Sequence, residues 1–193
     1  GLFSITDVLN TNDSLAIGLI SHDYPEQVLD RIAQENASFR DSVLFNAVNT
    51  RSRMILRYIE MGNDISYGVK LQMVRDWKRI YSLIDFKNNK YACSWFRAAC
   101  ETGGVEFCKH VISSVPQEKH RGLFEAGCIS SAFSACDYVR MFPNITISML
   151  EDVRNTVEFN TEDWKTLVDE VLSEASREDL VECIRDRLCM NYH

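Results

Sequence analysis

Proline and glycine are scarce: the 193 residues include three prolines and eight glycines. With so few breakers, no stretch reads as a linker or a low-complexity tract. Long apolar runs are also missing. Nothing approaches the roughly 18 residues of a membrane span, so no membrane partner is expected. The opening residues lack the basic-then-apolar pattern of a secretory leader, and the expected location is intracellular, in cytoplasm or nucleus. The chain opens on Gly1 rather than Met and is expected to be a piece of a longer polypeptide. The like-ligand pairs of tetrahedral zinc sites, Cys-x2-4-Cys or His-x3-5-His, are absent as well, so no metal or cofactor is expected.

What is present fits a globular chain, with 46% hydrophobic and 25% charged residues. Seven cysteines, an odd number spread through apolar stretches, are expected to be reduced and buried. The sequons at Asn12, Asn36 and Asn144 carry no meaning in that setting. The net charge of −7 is uneven. Residues 1–50 hold 2 basic and 7 acidic side chains, residues 51–100 hold 10 and 4, residues 101–150 hold 4 and 5, and residues 151–193 hold 5 and 12. A basic band at residues 51–97 is thus flanked by acidic ends. The overall charge disfavours general nucleic-acid binding, because phosphate neutralisation supplies most of that affinity.

Self-similarity organises residues 14–144. First-stripe anchors recur at Ile20, Ala47, Gln72, Ala99 and Ala126, with gaps of 27, 25, 27 and 27. A second series, Ile32, Ile59, Ile84, Val111 and Val139, has gaps of 27, 25, 27 and 28. The two series drift together, and within each stripe the spacing is three or four, which is helical. Each unit therefore reads as two short helices joined by a polar turn, such as Asn49-Thr50-Arg51 or Glu101-Thr102-Gly103-Gly104. Helices this short are unstable alone, so neighbouring units must bury the shared stripes. Residues 145–193 leave the series. Thr161 and Ser176 read there as helix starts, followed by apolar stripes and an acidic outer face, as in a helical C-terminal cap.

Two stretches carry a family resemblance. "ACETGGVEFCKHVI" (99–112) resembles the middle of an ankyrin repeat, with an alanine closing the first helix, a glycine turn and an apolar–apolar–Lys second helix. "RYIEMGNDI" (57–65) resembles that repeat's end, with Gly62 terminating the helix. The match is good in the second and fourth units. No unit has the Thr-Pro-Leu-His start, and the period of 25–28 falls short of about 33, which implies truncated or absent β-turn fingers. The resemblance implies an all-α fold: an α-solenoid of about five degenerate ankyrin-like helix pairs (1–144) with a helical capping segment (145–193). It also implies a non-catalytic protein–protein interaction module, an adaptor or scaffold. Degenerate arrays of this sort are common in large DNA viruses and intracellular pathogens, where they act on host proteins.

The chemical candidates reduce to one. Cys100 and Cys128 are 28 residues apart, as are Cys108 and Cys136. Recurrence with the repeat is the mark of packing, not catalysis. Cys108 and His110 point about 200° apart on a helix and cannot share a metal, and His110 is expected on an exposed face. Gly103-Gly104 lacks the preceding strand and following lysine of a phosphate loop. No catalytic residue is assigned. The basic band remains, with Arg51 and Arg53 at one inter-helix turn, Arg75, Lys78 and Arg79 at the next, and Trp77 and Tyr81 among them. Stacking is expected to bring the cations to one face about 10 Å apart. They are read as a surface for another protein with an acidic face. The alternative is a nucleic-acid or anionic-ligand site, with bases stacked on Trp77.

Overall fold

The computed structural model describes residues 4–128, 131–143 and 149. Those residues are helical, with no strand among them: α1 (Ile5–Leu9), α2 (Ser14–Ile20), α3 (Pro25–Ala33), α4 (Ala37–Val48), α5 (Arg53–Glu60), α6 (Tyr67–Asp76), α7 (Ala92–Thr102), α8 (Val105–Ser114), α9 (His120–Cys128) and α10 (Ala135–Arg140). Two 3-10 turns, Ile80–Leu83 and Gln117–Lys119, join them. None of the helices is long and apolar enough to cross a membrane.

Local chemistry sets most boundaries. Asp13, Asn36, Ser52 and Ser134 cap α2, α4, α5 and α10 by accepting from Ala16 N, Phe39 N, Met54 N and Asp137 N. Pro25 opens α3, where its missing N–H costs nothing. The five second-series anchors, Ile32, Ile59, Ile84, Val111 and Val139, are all buried. In the first series Ala47 and Ala99 are buried, whereas Ile20, Gln72 and Ala126 are half-buried.

The first-series helices lie each against the next: α2 on α4, α4 on α6, α6 on α7, α7 on α9. Among the second-series helices α3 packs on α5. Small residues set two of these approaches. A Cβ on Gly18 would lie 2.7 Å from Asn46 Cβ and 3.0 Å from Val43 O, so α2 and α4 meet almost backbone to backbone. A Cβ on Gly127 would fall 2.5 Å from Tyr138 Oη and 2.9 Å from Cys100 Sγ. One hydrophobic core runs through all of these helices, from Val8 to Met149.

Two turns share one hydrogen-bond scheme. At the end of α4, Arg51 N donates to Val48 O and Ser52 N to Ala47 O. At the end of α7, Gly103 N donates to Cys100 O and Gly104 N to Ala99 O. Each residue of the second set lies 52 positions after its counterpart, the sum of two gaps in the anchor series. The left-handed position of this helix terminator favours glycine. Gly103 meets that preference at φ 72°, while Arg51 is held at φ 50° despite its side chain.

The third unit departs from expectation. Its second helix is only the 3-10 turn Ile80–Leu83. Trp77 ends α6 with φ −117° and ψ 73° and is buried, so no capping residue starts a new helix after it. Aromatic and β-branched residues are poor helix formers here. Asp85 then accepts from Lys87 N and Asn88 Nδ2, turning the chain away. The capping segment expected at 145–193, with its Thr161 and Ser176 helix starts, lies outside the described residues except for Met149.

Candidate functional site

The basic band divides into two parts. In the first, Arg53 opens α5 and leans onto the preceding turn. Its backbone N lies 3.3 Å from His22 Nδ1, and its guanidinium donates to His22 O at 3.2 and 3.3 Å. The two turns are also joined underneath, where the buried Ser21 and Ser52 hydroxyl oxygens lie 2.6 Å apart. Arg51 stands exposed at its left-handed position.

The second part surrounds a groove. Arg75 sits in the last turn of α6, where a cation suits the helix dipole. Trp77 and Ile80 then plunge into the core, which turns Lys78 and Arg79 outward. Across from them runs the Gly103-Gly104 turn and the start of α8. A Cβ on Gly104 would lie 3.4 Å from Val74 Cγ1, so this turn sits directly against α6. Between the two walls is an open groove of about 630 Å³, lined by all three cations, by Tyr81 and by the 102–107 segment. Arg51 and Arg53 do not line it.

Some cations have acidic partners, whereas others, the exposed Lys109 and Lys119 among them, form no ion pair among the described residues. Arg31 pairs with Glu35, Arg57 with Glu26, Lys70 with Asp64, Arg121 with Glu125 and Arg140 with Asp137. Among the described residues, Arg51, Arg75, Lys78 and Arg79 form no ion pair and no side-chain hydrogen bond. Glu106 is the one acid lining the groove.

The aromatic members of the candidate set are not where stacking requires them. Trp77 is 8% exposed and presents no ring face to solvent. Tyr81 is half-buried, edge-on to Phe107 at 5.8 Å and tilted against His110 at 5.2 Å. The stacking that the nucleic-acid alternative asks of Trp77 finds no open ring here, because its indole completes the core beneath the cations. His110, expected on an exposed face, is half-buried against Tyr81 and Phe86.

The cysteines also divide. Cys100, Cys108 and Cys128 are buried, with the Cys100 and Cys108 sulfurs 3.7 Å apart. That neighbouring sulfur and burial together push the Cys100 thiol far above its ordinary range. Burial, with the same thiols alongside, raises the Tyr138 phenol, which donates to Phe124 O at 2.5 Å. Cys93 departs from the expectation of burial. It is exposed, although partial burial still raises its thiol. Among the described residues no three Cys, His, Asp or Glu side chains converge as a metal would require.

Reading the sequence missed one polar cluster. Lys70 is 1% exposed, and its Nζ lies 2.6 Å from Asp64 Oδ1 and 2.7 Å from Ser94 Oγ, between the Tyr91 and Trp95 rings. Alongside it, Tyr67 donates to Glu101 and stacks with the Arg97 guanidinium. Burial, then the Glu101 hydrogen bond, push Tyr67 up to about 12. The signal for Lys70 was its place in the stripe Lys70, Met73, Val74 and Trp77, which is apolar at every other position. Comparison with protein families, curated proteins and solved structures finds no match to this chain.

Proposed function

We propose that the chain is a non-catalytic protein-interaction module, an intracellular adaptor or scaffold. In this reading it is an α-solenoid of about five ankyrin-like helix pairs that receives an acidic surface of another protein on its basic band. The observation that carries the reading is the gathering of Arg75, Lys78 and Arg79 around one groove, exposed and with no ion pair among the described residues, with Arg51 a fourth such cation outside it, in a chain of net charge −7. Like charges gathered on one side of a fold repel, and a complementary surface removes that cost and speeds encounter. The succession of first-series helices and the turn shared by α4–α5 and α7–α8 support an array with a continuous face. Arg51 adds to this. A left-handed non-glycine residue costs about 1–2 kcal/mol, and a side chain kept there at such a cost points to use.

The nucleic-acid alternative loses its stacking element with the burial of Trp77. A pull-down with the intact chain from a cell lysate, repeated with Arg51, Arg53, Arg75, Lys78 and Arg79 all changed to Glu, tests the reading. We expect the captured protein to be acidic at its contact surface and to be lost with the five-site variant while helicity is unchanged. The control reverses Glu178, Glu182 and Asp186. If capture survives the first set and fails with the second, the acidic C-terminal segment is the interface instead.

A further inference from the structure

The groove between the 75–79 connection and the Gly103-Gly104 turn differs from the rest of the basic band in having two walls of different chemistry. One wall carries Arg75, Lys78 and Arg79, all exposed and none with an acceptor among the described residues. The other is bare backbone at Gly103-Gly104, followed by Val105, an apolar side chain left 39% exposed. Gly104 contributes no capping side chain to α8. Arg53, by contrast, has its guanidinium engaged by His22 O and lies outside the groove.

We propose that this groove binds a short extended acidic peptide segment of another protein, with carboxylates against Arg75, Lys78 and Arg79 and an apolar side chain against Val105. The proposal rests on the interaction-module reading and narrows it to one site. Charge complementarity selects the occupant. Three cations in a net-acidic chain are stabilised by carboxylates, and guanidinium groups pair with them bidentately. Gly103 and Gly104 line the groove with backbone atoms alone. Single-stranded nucleic acid is the poorer fit, because binding without sequence preference depends on exposed rings on which bases stack. Trp77 is buried, and Tyr81 is already engaged by Phe107 and His110.

The test selects a random dodecapeptide display library on the intact chain and measures the enriched peptides by fluorescence anisotropy, with oligothymidine as a second probe. Four variants are compared, each checked for native helicity: R75E/K78E/R79E in the groove, R51E/R53E in the other part of the basic band, K119E away from both, and the charge-conserving R75K/R79K. The expected result is enrichment of peptides rich in Asp and Glu with at least one large apolar residue. Their affinity should fall more than about tenfold in the groove variant, since like-charge juxtaposition costs several kcal/mol. It should hold within about threefold in K119E and survive in R75K/R79K. Acidic peptides lost with R51E/R53E but not with the groove variant overturn the groove and leave the interaction-module reading standing. Enriched peptides that are neutral or basic, or no enrichment at all, overturn the inference. Tight oligothymidine binding that falls steeply with salt and is lost in the groove variant overturns both.

Discussion

The α4–α5 and α7–α8 pairs make the same turn with the same hydrogen bonds, yet the segment between them does not repeat it. In the two regular pairs a left-handed residue ends the first helix and a full second helix follows. In the third unit Trp77 drops into the core, the second helix shrinks to a 3-10 turn, and Lys78 and Arg79 are left outside. Regular pairs are explained by stripe burial alone. The irregular one is where unpaired cations collect beside an open groove. Its attachment to α7 is also unusual, since it runs through a buried lysine and not only through apolar contact.

Removing that lysine should have the largest effect on stability. Lys70→Ala leaves a void beside Tyr91 and Trp95, and we expect a loss of about 2–4 kcal/mol by urea unfolding. Lys70→Met fills the same space and is expected within about 1 kcal/mol of wild type, because buried ion pairs add little over apolar isosteres. A large loss in Lys70→Met as well would show that the charge network, not the packing, joins α6 to α7.

The shared turn can be tested by exchanging its residue types. Gly103→Ala meets only Ala132 Cβ at 3.9 Å, so its cost is backbone strain, about 1 kcal/mol. Arg51→Gly relieves strain but frees the unfolded chain, and it should leave stability unchanged or raise it by about 0.5 kcal/mol. If both substitutions destabilise equally, the two turns are not equivalent and the proposed array loses a main support.

A smaller effect lies at alkaline pH. Tyr67 keeps its proton in the folded chain up to about 12, above its ordinary value of 10.0, so the unfolded chain releases it first. Its contribution is full below pH 10 and is lost as pH rises toward 12. Tyr67→Phe should flatten that part of the pH–stability curve relative to wild type. An unchanged slope would mean that the Glu101 contact is absent in solution.

The cysteines offer a contrast in rate. Brief alkylation of the native protein, followed by peptide mapping, should label Cys93 well before Cys100, Cys108 or Cys128, since access precedes reactivity. Equal labelling would show that the core around Tyr138 opens readily.

The legible part of this structure was periodic. Both anchor series fall on helices or their ends, and the turn at Gly103-Gly104 could be read from two glycines after an apolar helix. Three features could not be read, each because a tertiary contact outweighed a local pattern. Trp77 looked like an exposed aromatic among cations, but core volume claimed its indole. Ile80, Tyr81 and Ile84 had helical spacing, but no cap preceded them and Asp85 diverted the chain. Cys93 looked like its buried neighbours, but it opens α7 on the outer side.

The central claim is that the third unit's cations serve a partner and not the fold. Urea unfolding of R75Q/K78Q/R79Q beside wild type at low salt tests it without any partner in hand. Cations that only repel one another contribute nothing to folding, so the account predicts stability equal to wild type within about 1 kcal/mol, or higher. A loss of more than about 1 kcal/mol would mean that these charges balance the chain's own acids, and would contradict it.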